Sequence, residues 1–127
     1  MTALVPMSQA PHSHVFHITE RSAFAAALEV GKYEADSLAS EGFIHCSTRD
    51  QVLRTAARFY GGRHGLVLLC ISTAPLGSAL RYEAADGESF PHCYGPIPLE
   101  AIPAVVDFPC RSDGSFALPD ELELFQS

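Results

Sequence analysis

Positive charge is scarce in this chain. Eight lysines and arginines stand against fifteen aspartates and glutamates, for a formal charge of −7 and a pI near 5.2. That balance removes the basic face that non-specific binding to nucleic acid or to an anionic membrane requires. Long apolar runs are also missing. No stretch approaches the roughly 18 uninterrupted apolar residues of a transmembrane helix, so no membrane partner is expected. The opening "MTALVPMSQAPHSH" has neither the basic n-region nor the long apolar h-region of a signal peptide, and residues 1–13 read as a flexible tail. The four cysteines, Cys46, Cys70, Cys93 and Cys110, are widely spaced and form no CxxC pair. They lack the density of a disulfide scaffold and read as reduced thiols of a cytoplasmic protein.

Several catalytic signatures are absent too. There is no phosphate-cradling GxxxxGK[ST] loop and no GxGxxG after a strand, and Gly61-Gly62 follows a helix instead of opening one. No GxSxG elbow is present for a serine hydrolase. These gaps exclude P-loop, dinucleotide-fold and nucleophile-elbow chemistry.

What is present is a chain of 127 residues, nearly half hydrophobic, long enough to bury a core as one domain over residues 14–127. "HVFHI" reads as a strand with Val15 and His17 on one face and Phe16 and Ile18 on the other. Thr19 is placed to cap a helix running to about Val30, with Phe24, Ala27 and Leu28 as its apolar stripe and Gly31 as its end. "GKYEADSLAS" reads as a loop. A strand from Gly42 to Ser47 follows, with Phe43, His45 and Ser47 on one side and Ile44 and Cys46 on the other.

Thr48 and Gln51 form a capping-box pattern for a helix whose buried face is Val52, Leu53, Ala56, Phe59 and Tyr60. "GLVLLCI" is a continuous apolar run, the mark of a central strand covered on both faces. "ALRYEA" and "AVVDF" read as strands and "SFPHCYGPIPL" as an extended segment. Asp113-Gly114 offers a turn that folds the end back, and "PDELELF" reads as a solvated acidic surface. The fold class is α+β, with a mainly antiparallel mixed sheet and two helices in the N-terminal half.

Three histidines sit in extended apolar segments: His17 in "VFHIT", His45 in "FIHCS" and His92 in "FPHCY". A buried imidazole costs free energy unless its nitrogens find partners, so each needs a reason. Three readings compete: structural histidines bonded to nearby carbonyls, a shared ligand cleft, or a zinc site of the three histidines with Cys93. Alternation turns Cys46 away from His45, and no ligand pair has structural-zinc spacing; no metal is expected. His12, His14 and His64 read as solvated.

"SLASEGFIHCST" and "FPHCYGPIPL", with "VFHIT", "TAARFY", "LVLLCI" and "LRYE", resemble the bacterial family called domain of unknown function 952 over about residues 14–118. More distantly, a strand bearing a histidine and a threonine, a helix, a G-x-I-H-x-S strand and another helix are similar to the ADP-ribosyltransferase fold. The RNA 2′-phosphotransferases are the most similar group within it. That resemblance implies a split sheet whose cleft holds NAD or an ADP-ribosylated nucleotide. His17, Thr19, His45 and Ser47 fall on its ligand-binding strand positions, with Tyr60 and Tyr94 as aromatic lining.

Many transferases of that fold carry a late-strand glutamate; the nearest carboxylates here are Glu83 and Glu88, of which Glu83 is the better candidate, sharing a strand face with Arg81 that a surface ion pair explains as well, and either His92 or Glu83 is the candidate catalytic group. The resemblance thus implies NAD as substrate and glycosyl transfer or hydrolysis, with a pH dependence between about 5 and 8 if a histidine acts as acid or base. A binding module of the same fold without chemistry is the other expectation.

Overall fold

The computed structural model describes residues 12–125, so the expected tail lies outside the described residues as far as residue 11. The elements run in the order β1 (His14–Glu20), α1 (Arg21–Val30), β2 (Lys32–Tyr33), α2 (Asp36–Glu41), β3 (Ile44–His45), α3 (Val52–Phe59), β4 (Leu66–Ser72), β5 (Leu80–Ala85), β6 (Glu88–Cys93), β7 (Ile97–Pro98) and β8 (Ala104–Asp107). Short 3-10 turns cover Ala74–Ala79, Leu99–Ala101 and Asp120–Leu124. The class is α+β, and every strand pairing among the described residues is antiparallel.

β4 organises the interior. Its apolar run is buried on both faces, as the absence of alternation predicts. Leu66, Leu68 and Cys70 face one core with Phe16, Ile18, Val52, Ala56, Phe108 and Leu122. Val67, Leu69 and Ile71 face a second core with Val15, Tyr33, Ile44, Cys46 and Ile97. β1 and β8 flank β4 to make one three-stranded sheet, and β3, β6 and β5 make another in that order. β2 pairs with β7. The period-two alternation of β1 holds, with Val15 in one core and Phe16 and Ile18 in the other.

Several expectations need correction. Thr19 does not cap α1: it is still in β1, and no side chain caps the helix. Gly31, at φ 95°, does end it. The apolar stripe narrows to Ala27 and Phe24, and Leu28 is exposed, because α1 packs over only one narrow seam. "GKYEADSLAS" is no loop, since β2 and the six-residue α2 occupy it. Both are too short to leave a periodic signal, so the N-terminal half holds three α-helices instead of two.

The predicted strand from Gly42 to Ser47 reduces to Ile44–His45 plus one isolated bridge at Ser47. On α3 the buried seam is Val52 and Ala56, four residues apart, leaving Leu53 and Phe59 exposed. The Asp113-Gly114 turn forms, with Gly114 N–H bonded to the Arg111 carbonyl at 2.9 Å, but no strand follows it. "PDELELF" is not wholly solvated, for Leu122 is fully buried.

Two local devices place the site. β5 and β6 are joined by Asp86 and Gly87, both at positive φ (52° and 84°), the two-residue type I′ geometry that suits strand twist. Gln51 is buried just before α3. Its Oε1 accepts from Thr48 N–H at 2.9 Å, one half of the expected capping box, while its Nε2 donates to Ser89 O at 2.7 Å and ties the helix to β6.

Candidate functional site

The two three-stranded sheets meet at a single antiparallel bridge, where Phe16 N–H donates to Ser47 O at 2.8 Å and Ser47 N–H to Phe16 O at 2.7 Å. Away from that bridge β1 stays with β4 while β3 turns to β6, so the strands part. A cleft of about 1150 Å³ lies along this line, with His17 and Thr19 on one wall and His45, Ser47 and His92 on the other. Tyr60, Arg54 and Arg58 line it as well. Glu83 and Tyr94 are not among its lining residues and stand behind His92.

His17 is locked into the protein. Its Nδ1 lies 2.6 Å from the His45 carbonyl oxygen and its Nε2 lies 2.8 Å from the Tyr33 hydroxyl. A carbonyl only accepts, so Nδ1 carries the hydrogen and Nε2 takes the phenolic one. Thr19 Oγ1, 3.0 Å from Tyr33 Oη, completes the chain of polar groups. Burial pushes the His17 pKa down to about 4, and the same cause pushes Tyr33 up to about 12. The imidazole is therefore neutral at physiological pH, and both nitrogens serve protein groups.

His92 is held differently. Antiparallel register sets it opposite His45 on β3 and opposite Arg81 on β5. Glu83, two residues along from Arg81 and so on the same sheet face, reaches it diagonally. Glu83 Oε1 accepts from His92 Nδ1 at 2.7 Å and from the Tyr94 hydroxyl at 2.6 Å. Those bonds, Tyr94 first and then His92, hold the Glu83 carboxyl below its ordinary range. Phe43 stacks on the His92 ring at 4.1 Å and 17°, fixing its plane. Nε2, on the other edge of the ring, has no hydrogen bond to any described residue. Arg81 stacks over Tyr94 at 4.6 Å instead of pairing with Glu83.

His45 completes the group. Its imidazole is half exposed, 5.5 Å from the His92 ring, and its Nε2 lies 3.1 Å from Glu41 Oε1. Ser47 Oγ is buried against Thr55 Oγ1 at 3.2 Å. Tyr60 Oη reaches the Ile18 carbonyl at 3.5 Å. Arg54 and Arg58, one turn apart on α3, bind Glu88 and Asp86 at 2.7 and 2.6 Å through one N–H each.

One of the three sequence readings put His17, His45 and His92 in a shared cleft, and all three are among the residues lining this one; the sequence missed the groups that set their surroundings. Tyr33, Glu41 and the stacking role of Phe43 carry no motif. Only the i, i+2 relation of Phe43 and His45 hinted at a common face.

A zinc cluster of the three histidines with Cys93 does not assemble. His17 has no free nitrogen, and Cys93 Sγ turns to the Gly95 carbonyl at 3.5 Å. Among the described residues no group of three or more His, Cys, Asp or Glu is placed to hold a metal. Burial raises the Cys46 and Cys93 thiols, the opposite of what a nucleophile needs. No helix among the described residues is long and apolar enough to cross a membrane.

Antiparallel sheets bridged at Phe16 and Ser47, with a histidine-lined cleft beside the bridge, make this an α+β protein. The family model described as protein of unknown function (DUF952) matches residues 18–105, and the chain belongs to that family. The crystal structure of protein CC0527 from Caulobacter crescentus is similar, with TM-score 0.80 and 34% identity over 87% of this chain and 98% of that one. The solution NMR structure of CC0527 is similar at TM-score 0.76 and 34% identity, over 88% and 98% of the two chains. No curated protein sequence matches.

Proposed function

We propose that the cleft binds a nucleotide of the ADP-ribosyl class, with NAD as the expected ligand. The observation that carries this reading is the placement of the cleft: it follows the line where β1 and β3 part, between the strand bearing His17 and Thr19 and the strand bearing His45 and Ser47. Those are the two strands whose motifs resemble the ADP-ribosyltransferase fold. A cavity of this volume takes a dinucleotide-sized ligand, and rigid strands suit a reaction in which positioning of the ribose dominates.

The roles divide by what each group has free. His17 and Thr19 form the wall through Tyr33 and orient the backbone of His45. Ribose contacts fall to His45, Ser47 and Thr55. Phe59 and Tyr60 are the aromatic surfaces for a base. The unused N–H groups of Arg54 and Arg58 suit phosphate oxygens, since exposed ion pairs yield easily to a better acceptor.

Calorimetric titration with NAD, ADP-ribose, ADP and adenosine tests the reading. ADP-ribose and NAD are expected to bind, and His45→Ala to weaken both about tenfold with no loss of folding, because His45 is exposed. Absence of heat and of any thermal shift with all four ligands at millimolar concentration, roughly the top of the useful affinity range, would reject it.

A further inference from the structure

Resting on that reading, we infer that the cleft performs proton-transfer chemistry, with His92 Nε2 as the proton acceptor and an uncharged hydroxyl, water in the simplest case, as the group it deprotonates. The geometry is that of an oriented base. An ionised carboxylate accepts from Nδ1–H at 2.7 Å, which places the hydrogen on Nδ1 and leaves the lone pair on Nε2. Stacking by Phe43 at 4.1 Å prevents the ring from turning. The ring lines the cleft while Glu83 stays outside it, so Glu83 is a positioning residue.

The surroundings select the acceptor. A base is needed only where the nucleophile has a proton to lose, so a carboxylate acceptor gains nothing from His92. Among the described residues, the charged and titratable groups that touch the ring or its immediate neighbours are Glu83 and Arg81 from β5, Tyr94 beyond β6, His45 from β3 and, through His45, Glu41 from α2. Two carboxylates against one guanidinium disfavour a polyanionic acceptor. The half-exposed His45 leaves this end of the cleft open to water or to a small alcohol.

In the step itself the hydroxyl oxygen bonds to C1 of the nicotinamide-bearing ribose as the bond from that carbon to the nicotinamide nitrogen breaks. The bonding pair stays with the nicotinamide, which leaves neutral. The hydroxyl proton passes to His92 Nε2 and then to solvent.

The experiment follows nicotinamide release from NAD by the full chain, in water and with methanol added, while ADP-ribose affinity is measured on the same samples. His92→Gln is expected to lower release by about 100-fold with ADP-ribose affinity within about threefold. Glu83→Gln, which keeps an oxygen to accept from His92 Nδ1, is expected to lower kcat about tenfold at unchanged KM, with folding checked by urea unfolding of the same variant. Tight ADP-ribose binding without release by the unaltered protein would overturn the inference and leave the binding reading standing; so would release unchanged in both variants. Failure to bind either NAD or ADP-ribose would overturn both.

Discussion

His17 and His92 are equally buried, each 7% exposed, yet they belong to different kinds of region. His17 sits between the sheets with both nitrogens bonded, one to a carbonyl and one to a phenol, and burial keeps it neutral down to about pH 4. His92 sits on the cleft wall with one nitrogen bonded to a carboxylate and the other without a partner among the described residues. Burial therefore does not separate a histidine with both nitrogens bonded from one with a nitrogen to spare. The number of polar partners does, because an imidazole with both nitrogens engaged has no site left for a ligand.

The sharpest way to break this contrast is His17→Ala. Two buried partners would lose their bonds and a void would open beneath the cleft, so the expected loss is about 2–4 kcal/mol in urea unfolding. His92→Gln should cost about 1 kcal/mol in the same measurement. Equal losses would erase the distinction.

The second test is pH. With the folded-state value of His17 near 4 against 6.5 unfolded, the unfolded chain binds a proton that the folded chain refuses between those limits. Stability is full above about pH 6.5 and falls by up to about 3 kcal/mol as pH drops towards 4. Unfolding curves at intervals across that window should show the slope in the unaltered protein and lose it in His17→Gln. The lowered Glu83 carboxyl acts in the same sense but below its ordinary value of 4.5, so the two contributions separate.

Tyr33→Phe takes away the phenol that serves Nε2 of His17 and should cost about 1–2 kcal/mol without changing ligand affinity. A large affinity loss would show that Tyr33 itself reaches the ligand. Smallest of all, Arg58→Gln breaks an exposed pair with Asp86, both side chains more than half exposed, and should change stability by less than about 0.5 kcal/mol. Any effect of that variant belongs in ligand affinity, where it probes the α3 end of the cleft.

Much of the fold is legible in the residues, and the exceptions have physical causes. β4 announces itself because a strand covered on both faces needs seven apolar or small residues in succession. Gly31 ends α1 because its φ of 95° suits a residue without a Cβ. The hairpin that carries Glu83 and His92 went unread, although Asp86-Gly87 between two extended runs has the type I′ letters. Asp113-Gly114 has the same letters but no strands beside it. β2 and α2, at two and six residues, have no period to read, and the pairing of β2 with β7 joins Tyr33 to Ile97 across about half of the chain.

By itself the sequence determined which side chains can share a face: Val15 with His17, Phe43 with His45, Arg81 with Glu83. Those relations follow from local backbone geometry, which neighbours in the chain set. Only the tertiary structure decided the chemical state of each histidine. The groups that bond His17 lie 16 and 28 residues away, and the carboxylate that orients His92 comes from the facing strand of a hairpin. A nitrogen's protonation depends on what lies within about 3 Å of it, and strand pairing, not chain order, brings those partners there.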